Sequence, residues 1–139
     1  MRAGGNVTDW KVMPLAPAGV DVFKSPEPDK IFVGNPSIVT LPGSRIVISL
    51  DLKGPGVKGL RGIKGQSPTS GHWLQGKVFV STDKGVTWIC KTDFPFQQAQ
   101  LFRVESSIYL LGLARDFKIM KSVDGGETWS KAEELNTTS

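Results

Sequence analysis

"KVFVSTDKGVTWICK", residues 77–91, and "KIMKSVDGGETWSKA", residues 118–132, are the two stretches that decide the fold. Both contain the frame Ser-x-Asp-x-Gly-x-Thr-Trp, and 41 positions separate Asp83 from Asp124. That period matches the length of one four-stranded blade of a β-propeller. The repeat therefore predicts two equivalent β units in tandem.

Each copy of the frame is surrounded by short β-rich runs in the same order. The runs are rich in Val, Ile, Phe, Tyr and Thr, and Gly, Pro, Asp and Ser separate them. No stretch has the sustained 3.6-residue apolar spacing of a helix. The predicted strands are 35–41, 45–52, 76–82 and 87–94 in the first unit and 98–106, 107–115, 117–123 and 128–135 in the second.

These patterns predict an all-β chain of two four-stranded antiparallel blades of a β-propeller. Residues 25–97 form the first blade, with its frame at 81–88, and residues 98–139 form the second, with its frame at 122–129. Residues 1–24 are an N-terminal segment, in which "DWKVMPLA" (9–16) is a candidate closing strand. Because about three repeats are usually needed for a stable array, two blades leave open flanks and favour self-assembly.

The residue types of the frame suit a tight hairpin turn. An aspartate accepts hydrogen bonds from backbone N–H groups, a serine does so more weakly, and a glycine adopts positive φ without steric cost. The tryptophan that follows can place its large face between the units. The frame is therefore interpreted as architecture, since it lacks the further carboxylates of a calcium loop. The structural residues are Ser81, Asp83, Gly85, Thr87, Trp88, Ser122, Asp124, Gly126, Thr128 and Trp129.

Two complete frames at this spacing resemble the Asp-box, or BNR repeat, of the sialidase (neuraminidase) superfamily. "NPSIVTLPGSRIVISLDLKGPG" (35–56) also resembles the first-blade segment of sialidase-like proteins, and the resemblance extends over 25–135. It implies a six-bladed propeller with the boxes at its periphery, away from the active site, and a carbohydrate ligand without a cofactor. Six blades would need three copies of this chain, so a homotrimer is the favoured oligomer; a fragment of a longer propeller is the alternative.

The sequence departs from a sialidase at the substrate site. Sialidases hold the substrate carboxylate with an arginine triad, and Asn35 stands where the resemblance places the first of these arginines. A neutral amide cannot make the bidentate, charge-assisted contact that a carboxylate favours. The expected function is therefore glycan binding by a module that is not catalytically competent alone. The alternatives are a fragment or remnant of a sialidase-like glycoside hydrolase, which would need further blades, and a protein-interaction scaffold.

A few polar and aromatic side chains are candidates for a site. Asp51, at a strand end, and His72, in a long loop, are the catalytic candidates; Asp51 could equally be a turn carboxylate, and His72 an exposed structural residue. Arg103 could pair with Glu105 instead of binding a ligand. The ligand-binding candidates are Asn35, Asp51, Arg61, His72, Trp73, Arg103 and Arg115.

Two further features have competing interpretations. The loop 53–73 has Gly at every third position from Gly56 to Gly65 with basic residues between, and is expected to be flexible. Its charge could attract acidic glycans, or the loop could simply be mobile. Cys90, the sole cysteine, is expected to be a buried, inert thiol.

Composition narrows the remaining classes. The chain has 139 residues, 39% of them hydrophobic and 22% charged, which is typical of one soluble domain. The net charge of +4 is spread along the sequence, which argues against nucleic-acid binding. No apolar run is long enough for a membrane helix and no secretory signal precedes the first unit, so the default expectation is a cytoplasmic protein. No cluster has zinc-ligand spacing, and no cofactor motif is found.

Overall fold

The computed structural model describes residues 19–135, and this part of the chain is all-β, as predicted. The first sheet contains β1 (Phe32–Thr40), β2 (Ile46–Lys53), β3 (Gly65–Gln66), β4 (Trp73–Ser81) and β5 (Ile89–Phe94). The second contains β6 (Gln97–Val104), β7 (Ser107–Leu113), β8 (Phe117–Ser122) and β9 (Glu133–Glu134). A single 3₁₀ turn (Pro55–Gly59) is the helical element in this range, and no helix there is long and apolar enough to cross a membrane. The candidate closing strand 9–16 lies outside the described residues.

Both sheets are antiparallel meanders. In the first, β1, β2 and β4 are neighbours, and β3 and β5 pair with different parts of the same edge of β4. The second has the order β6-β7-β8-β9. The prediction of two antiparallel sheets is confirmed, whereas their assembly as propeller blades remains a prediction.

The last strand is much shorter than the predicted 128–135. The Lys121 N–H donates to the hydroxyl of Ser130 at 2.9 Å, while the Ser130 N–H donates to the Lys121 carbonyl at 2.9 Å. A side-chain oxygen thus takes the place of a backbone carbonyl, and the regular ladder is interrupted. Regular pairing resumes only at Glu133–Glu134.

The main hydrophobic core lies between the two sheets. Phe94, the last residue of β5, and Phe96, in the linker that follows, both extend into this core. Both are fully buried, with their ring centroids 4.7 Å apart. Each buried ring contributes about 1.5–3 kcal/mol. The residues of this inter-sheet core are Val47, Val78, Val80, Phe94, Phe96, Ala99, Leu101, Ile108, Leu110 and Met120.

A second cluster covers part of the outer face of the first sheet. Val22 and Phe23 pack on it, and the Phe23 ring lies 6.0 Å from that of Phe79. The 3₁₀ turn adds Val57, which is 0% exposed. The loop 53–73, predicted to be flexible, is therefore attached to the sheet, because a buried side chain anchors it. The Gln75 carboxamide adds a second attachment by donating to two loop carbonyls, at 2.8 and 3.0 Å.

The two frames have the same hydrogen bonds. Each serine hydroxyl donates to the aspartate Oδ1, at 2.7 Å in the first frame and 2.8 Å in the second, and accepts the glycine N–H at 2.8 Å. Each aspartate also accepts the backbone N–H and hydroxyl of the threonine. These donors, the threonine hydroxyl first, lower the pKa of both Asp83 and Asp124 to about 2. Each tryptophan Nε1 donates to the carbonyl of the frame glycine.

The equivalence of the sheets extends beyond the frames. Lys77 pairs with Asp93 at 2.8 Å in the first sheet, and Lys118 pairs with Glu134 at 2.8 Å in the second, 41 positions later for both partners. A β-bulge interrupts β1 between Gly34 and Ser37, and another interrupts β6 between Gln97 and Gln100. The two sheets are therefore two copies of one local design.

The prediction of a buried thiol at Cys90 is wrong, because this side chain is exposed. Cys90 lies on β5, an edge strand that pairs only with β4, beside a bulge in that pairing. An edge strand leaves one side of its backbone and part of its side chains without neighbours.

Candidate functional site

The first sheet has two chemically different ends. At one end, the first frame contacts the β1–β2 turn, where the Lys84 N–H donates to the Ser44 carbonyl at 3.0 Å. At the other end, β2 and β4 meet at the pair Lys53 and Leu74, and the loop 53–73 departs. Most of the candidate site residues converge at this second end, far from the frame along the strands.

Asp51 joins the two sheets at this end. It is 1% exposed, and its carboxylate accepts the Asn35 amide at 3.1 Å and 2.9 Å on its two oxygens. The backbone N–H of Gln98 donates to Oδ2 at 2.8 Å. A carboxylate has about four acceptor positions, and three of them are used here within the protein. Asp51 therefore fixes the position of β6 on β2.

Both partners of Asp51 have left-handed backbone conformations. Asn35 has φ 48° and Gln98 has φ 54°, and each lies within the bulge of its strand. A non-glycine residue there is strained, and such strain is concentrated at sites where the surrounding structure requires it. Here the buried carboxylate of Asp51 holds both bulges.

A cavity of about 260 Å³ opens beside this cluster, between the end of β2, the long loop and the start of β6. His72 is exposed and Trp73 is half-buried at its wall. The Lys64 ammonium lies 5.9 Å from the centroid of the Trp73 ring. The lining residues are Lys53, Gly54, Ser67, Ser70, His72, Trp73, Leu74 and Gln97.

The remaining candidates do not line this cavity. Arg103 lines a different cavity, of about 430 Å³, beside the second frame with Arg45 and Gly125. Its expected ion pair with Glu105 is wrong: Arg103, near the end of β6, donates from Nε to the backbone carbonyl of Glu105 in the following turn at 2.8 Å. Arg61 has an exposed side chain and contributes its carbonyl to Gln75, and Arg115 is exposed just after β7.

Three residues of this end were not expected from the sequence. Lys53 and Gln97 line the cavity, and Gln98 bonds to Asp51 through its backbone. No residue type marks a backbone donor, so Gln98 could be found only by aligning the bulge of β6 with that of β1. Lys53 directly follows the predicted strand 45–52, and that position was a usable signal for a strand-end site.

The chemistry of this end favours binding over acid–base catalysis. Asp51 is buried and already hydrogen-bonded, and in residues 19–135 no carboxylate lines the cavity. His72 makes its described hydrogen bond through its backbone N–H, to the Ser70 hydroxyl at 3.3 Å, so it has no orienting carboxylate there. Within the same range, no three His, Cys, Asp or Glu residues are grouped as a metal site.

Comparison with known proteins gives little further information. No protein-family model and no curated protein matches the chain. A crystal structure of a protein of unknown function from Dyadobacter fermentans DSM 18053 is similar at 13% sequence identity with a TM-score of 0.37. The similarity covers 73% of this chain and 50% of that chain, so this chain spans about half the length of the solved structure. Similarity of this degree establishes neither a family nor a function.

Proposed function

We propose that this chain is a sialidase-like Asp-box propeller module that binds a glycan, without hydrolysing it alone, in the cavity between Lys53, His72 and Gln97. The proposal rests on one observation: the frame and the polar cavity lie at opposite ends of the first sheet. The frame makes hydrogen bonds within its own turn and occupies one end, whereas the cavity lies at the other end. This separation agrees with the resemblance, which places the boxes away from the ligand.

The lining of the cavity suits a sugar. An aromatic ring and the Leu74 side chain provide apolar surface for C–H groups, and hydroxyls, an imidazole, a carboxamide and an ammonium provide donors and acceptors for sugar hydroxyls. An apolar wall with a few convergent polar groups is the usual composition of a small-molecule site. The ammonium of Lys53 would also favour a glycan that carries an anionic group.

The carboxylates argue against hydrolysis by this chain alone. Most glycoside hydrolases need a pair of carboxyl groups on either side of the bond that breaks. Asp51 is inaccessible at this end, and the cavity has no other carboxylate among the described residues. The arginine expected at position 35 is an asparagine whose amide is already bonded to Asp51.

The test is a screen of neutral and acidic oligosaccharides by calorimetry, followed by variants with the best ligand. We expect His72→Ala and Lys53→Met each to weaken binding about tenfold, since each removes one hydrogen-bonding group. Lys131→Met is the matched control, because Lys131 is an exposed lysine outside this cavity and should leave the affinity unchanged. Equal affinities for all three variants, no binding by any oligosaccharide, or turnover of a sialoside by the chain would contradict the proposal.

A further inference from the structure

The outer face of the second sheet carries an apolar surface that residues 19–135 leave exposed. Phe102 and Tyr109 are opposite each other in the register and stack with ring centroids 5.3 Å apart. Phe102 is 38% exposed, and Phe117 on the same sheet is 54% exposed. Leu111 and Ile119 are directly paired in the next row of this face and are half-buried. Contiguous apolar surface of this kind is characteristic of interaction sites.

The internal repeat shows what covers the corresponding surface in the first sheet. Two rows of paired residues have equivalent places in the two sheets: Val39, Val47 and Val80 in the first, and Phe102, Tyr109 and Lys121 in the second. Val80 and Lys121 are 41 positions apart, which is also the spacing of the frames. Val47 is 0% and Val80 is 3% exposed, because the second sheet packs over them. In the second sheet, no other sheet formed by residues 19–135 packs on the equivalent surface.

The complementary surface is also uncovered. The second sheet packs on the first through the row Leu101, Leu110 and Met120, which is at most 7% exposed. The equivalent row in the first sheet is Ile38, Ile48 and Phe79. The first two remain accessible: Ile38 is 58% exposed and Ile48 is half-buried. Phe79 is covered by Phe23, so the accessible part is the corner formed by Ile38 and Ile48.

We propose that the outer face of the second sheet docks on the Ile38–Ile48 corner of the first sheet in another copy of this chain. The contact would repeat, between chains, the packing that already joins the two sheets within one chain. It is head-to-tail, because the two surfaces are different, so each copy has one of each. This inference does not depend on the proposed glycan ligand.

The first test is the mass in solution, measured by sedimentation over a wide range of concentration. The wild-type chain should form species that are multiples of 15.1 kDa. Phe102→Glu and Ile38→Glu should each reduce this mass, because each places a charge in one of the two surfaces. Val86→Glu is the control: Val86 is 63% exposed in the first frame and lies on neither surface.

Mixing the two variants distinguishes head-to-tail docking from other modes. Each variant keeps one intact surface, so a one-to-one mixture should form a dimer that neither variant forms alone. Far-ultraviolet circular dichroism checks that the variants are folded, and Phe102→Gln and Ile38→Gln replace any that are not.

Three results would overturn the inference. The first is a wild-type chain that is monomeric at every concentration. The second is association that Phe102→Glu abolishes and Ile38→Glu leaves intact, which would mean that the second sheet pairs with itself. The third is association that appears only when residues 1–18 are removed, which would mean that this segment occupies the surface in the full chain.

Discussion

Asp83 and Asp124 stabilise their turns by accepting hydrogen bonds at the surface of the protein. Each carboxylate accepts three described hydrogen bonds, all from within its own frame, and the threonine hydroxyl and N–H are the principal donors. The two frames make these bonds although their variable positions differ: Thr82, Lys84 and Val86 in the first frame correspond to Val123, Gly125 and Glu127 in the second. The chemistry of the two aspartates is local, and no second carboxylate is needed to hold the turn.

The lowered pKa of these aspartates predicts a dependence of stability on acid. A carboxyl group whose folded-state pKa is about 2, against 3.8 without such bonds, stabilises the fold fully above about pH 4 and loses that contribution as the pH falls through 2. The double variant Asp83→Asn/Asp124→Asn should be less stable at neutral pH and should lose less stability across this window. Urea unfolding followed by tryptophan fluorescence measures both. Asp29→Asn, at an exposed aspartate outside the frames, should have the profile of the wild type.

Asn35 and Gln98, which both have left-handed backbone conformations, should respond oppositely to substitution by glycine. Gln98→Gly removes a strain of about 1 kcal/mol and keeps the backbone N–H that bonds to Asp51, so the free energy of unfolding should stay the same or rise. Asn35→Gly removes the same strain but also the two amide contacts to a buried carboxylate, so the free energy of unfolding should fall by about 1–2 kcal/mol. Chemical denaturation compares the pair. A loss of stability in Gln98→Gly equal to that in Asn35→Gly would show that the strain has no cost here.

Candidate residues could be predicted from the sequence only where a side chain acts by itself. Asn35, Asp51, His72 and Trp73 were among the ligand-binding candidates, and the structure places the first two in contact and the last two in the adjacent cavity. The sequence could not show that Arg103 lines a different cavity. That depends on which end of the sheet carries the β6–β7 turn, and the sequence does not reveal it. The backbone contact of Gln98 with Asp51 has no signature in residue type.

Among the structural elements, the linker between the sheets determines how they pack. Phe94 and Phe96 occupy the space above two glycines: a Cβ on Gly76 would stand 1.9 Å from the Phe94 ring, and a Cβ on Gly112 would stand 2.4 Å from the Phe96 ring. The absence of these side chains lets the strands accept a phenyl ring directly on the backbone. Small and large residues are thus matched across the core, as close packing requires.

Gly112→Ala tests this matching. The added methyl group would meet both the Phe96 ring and the Gln97 carbonyl at 2.8 Å, so backbone as well as side chain must move. We expect a loss of about 1–3 kcal/mol in the free energy of unfolding. Gly59→Ala is the matched control, because nothing lies within 4 Å of its Cβ position, and it should be neutral or slightly stabilising. Equal effects of the two substitutions in denaturant titrations would contradict this matching of phenyl rings and glycines.

The strands were predictable to the extent that side-chain alternation defines them. β7 alternates between buried and half-buried residues, whereas β2 and β4 contain runs of consecutive buried residues because both faces of the first sheet are partly covered; all three lie within or near the predicted runs. β9 was overestimated, because the hydroxyl of Ser130 replaces a backbone acceptor in the pairing. The loop 53–73 was misjudged, since one apolar residue among many glycines, Val57, anchors it. Single contacts of this kind do not produce a periodic pattern.

For the molecule as a whole, the repeat explains both its internal packing and its exposed surfaces. The two sheets have the same design but pack through different faces, so each sheet has one face at the outside of the molecule. Among the described residues, the segment 22–31 packs on part of the outer face of the first sheet. The ends of the sheets are also unequal, with the first frame at one end and a polar cavity at the other. We propose that the frames stabilise turns and that a ligand binds at the opposite end of the first sheet.

Backbone amide NMR chemical shifts, followed during titration with the oligosaccharide that binds best, test this separation of frames and ligand. The shifted amides should cluster at His72, Trp73 and Gln97, with the loop residues beside them, while the amides of the frames at 81–88 and 122–129 stay in place. Shifts centred on the frames, or no site-specific shift with any oligosaccharide, would contradict it.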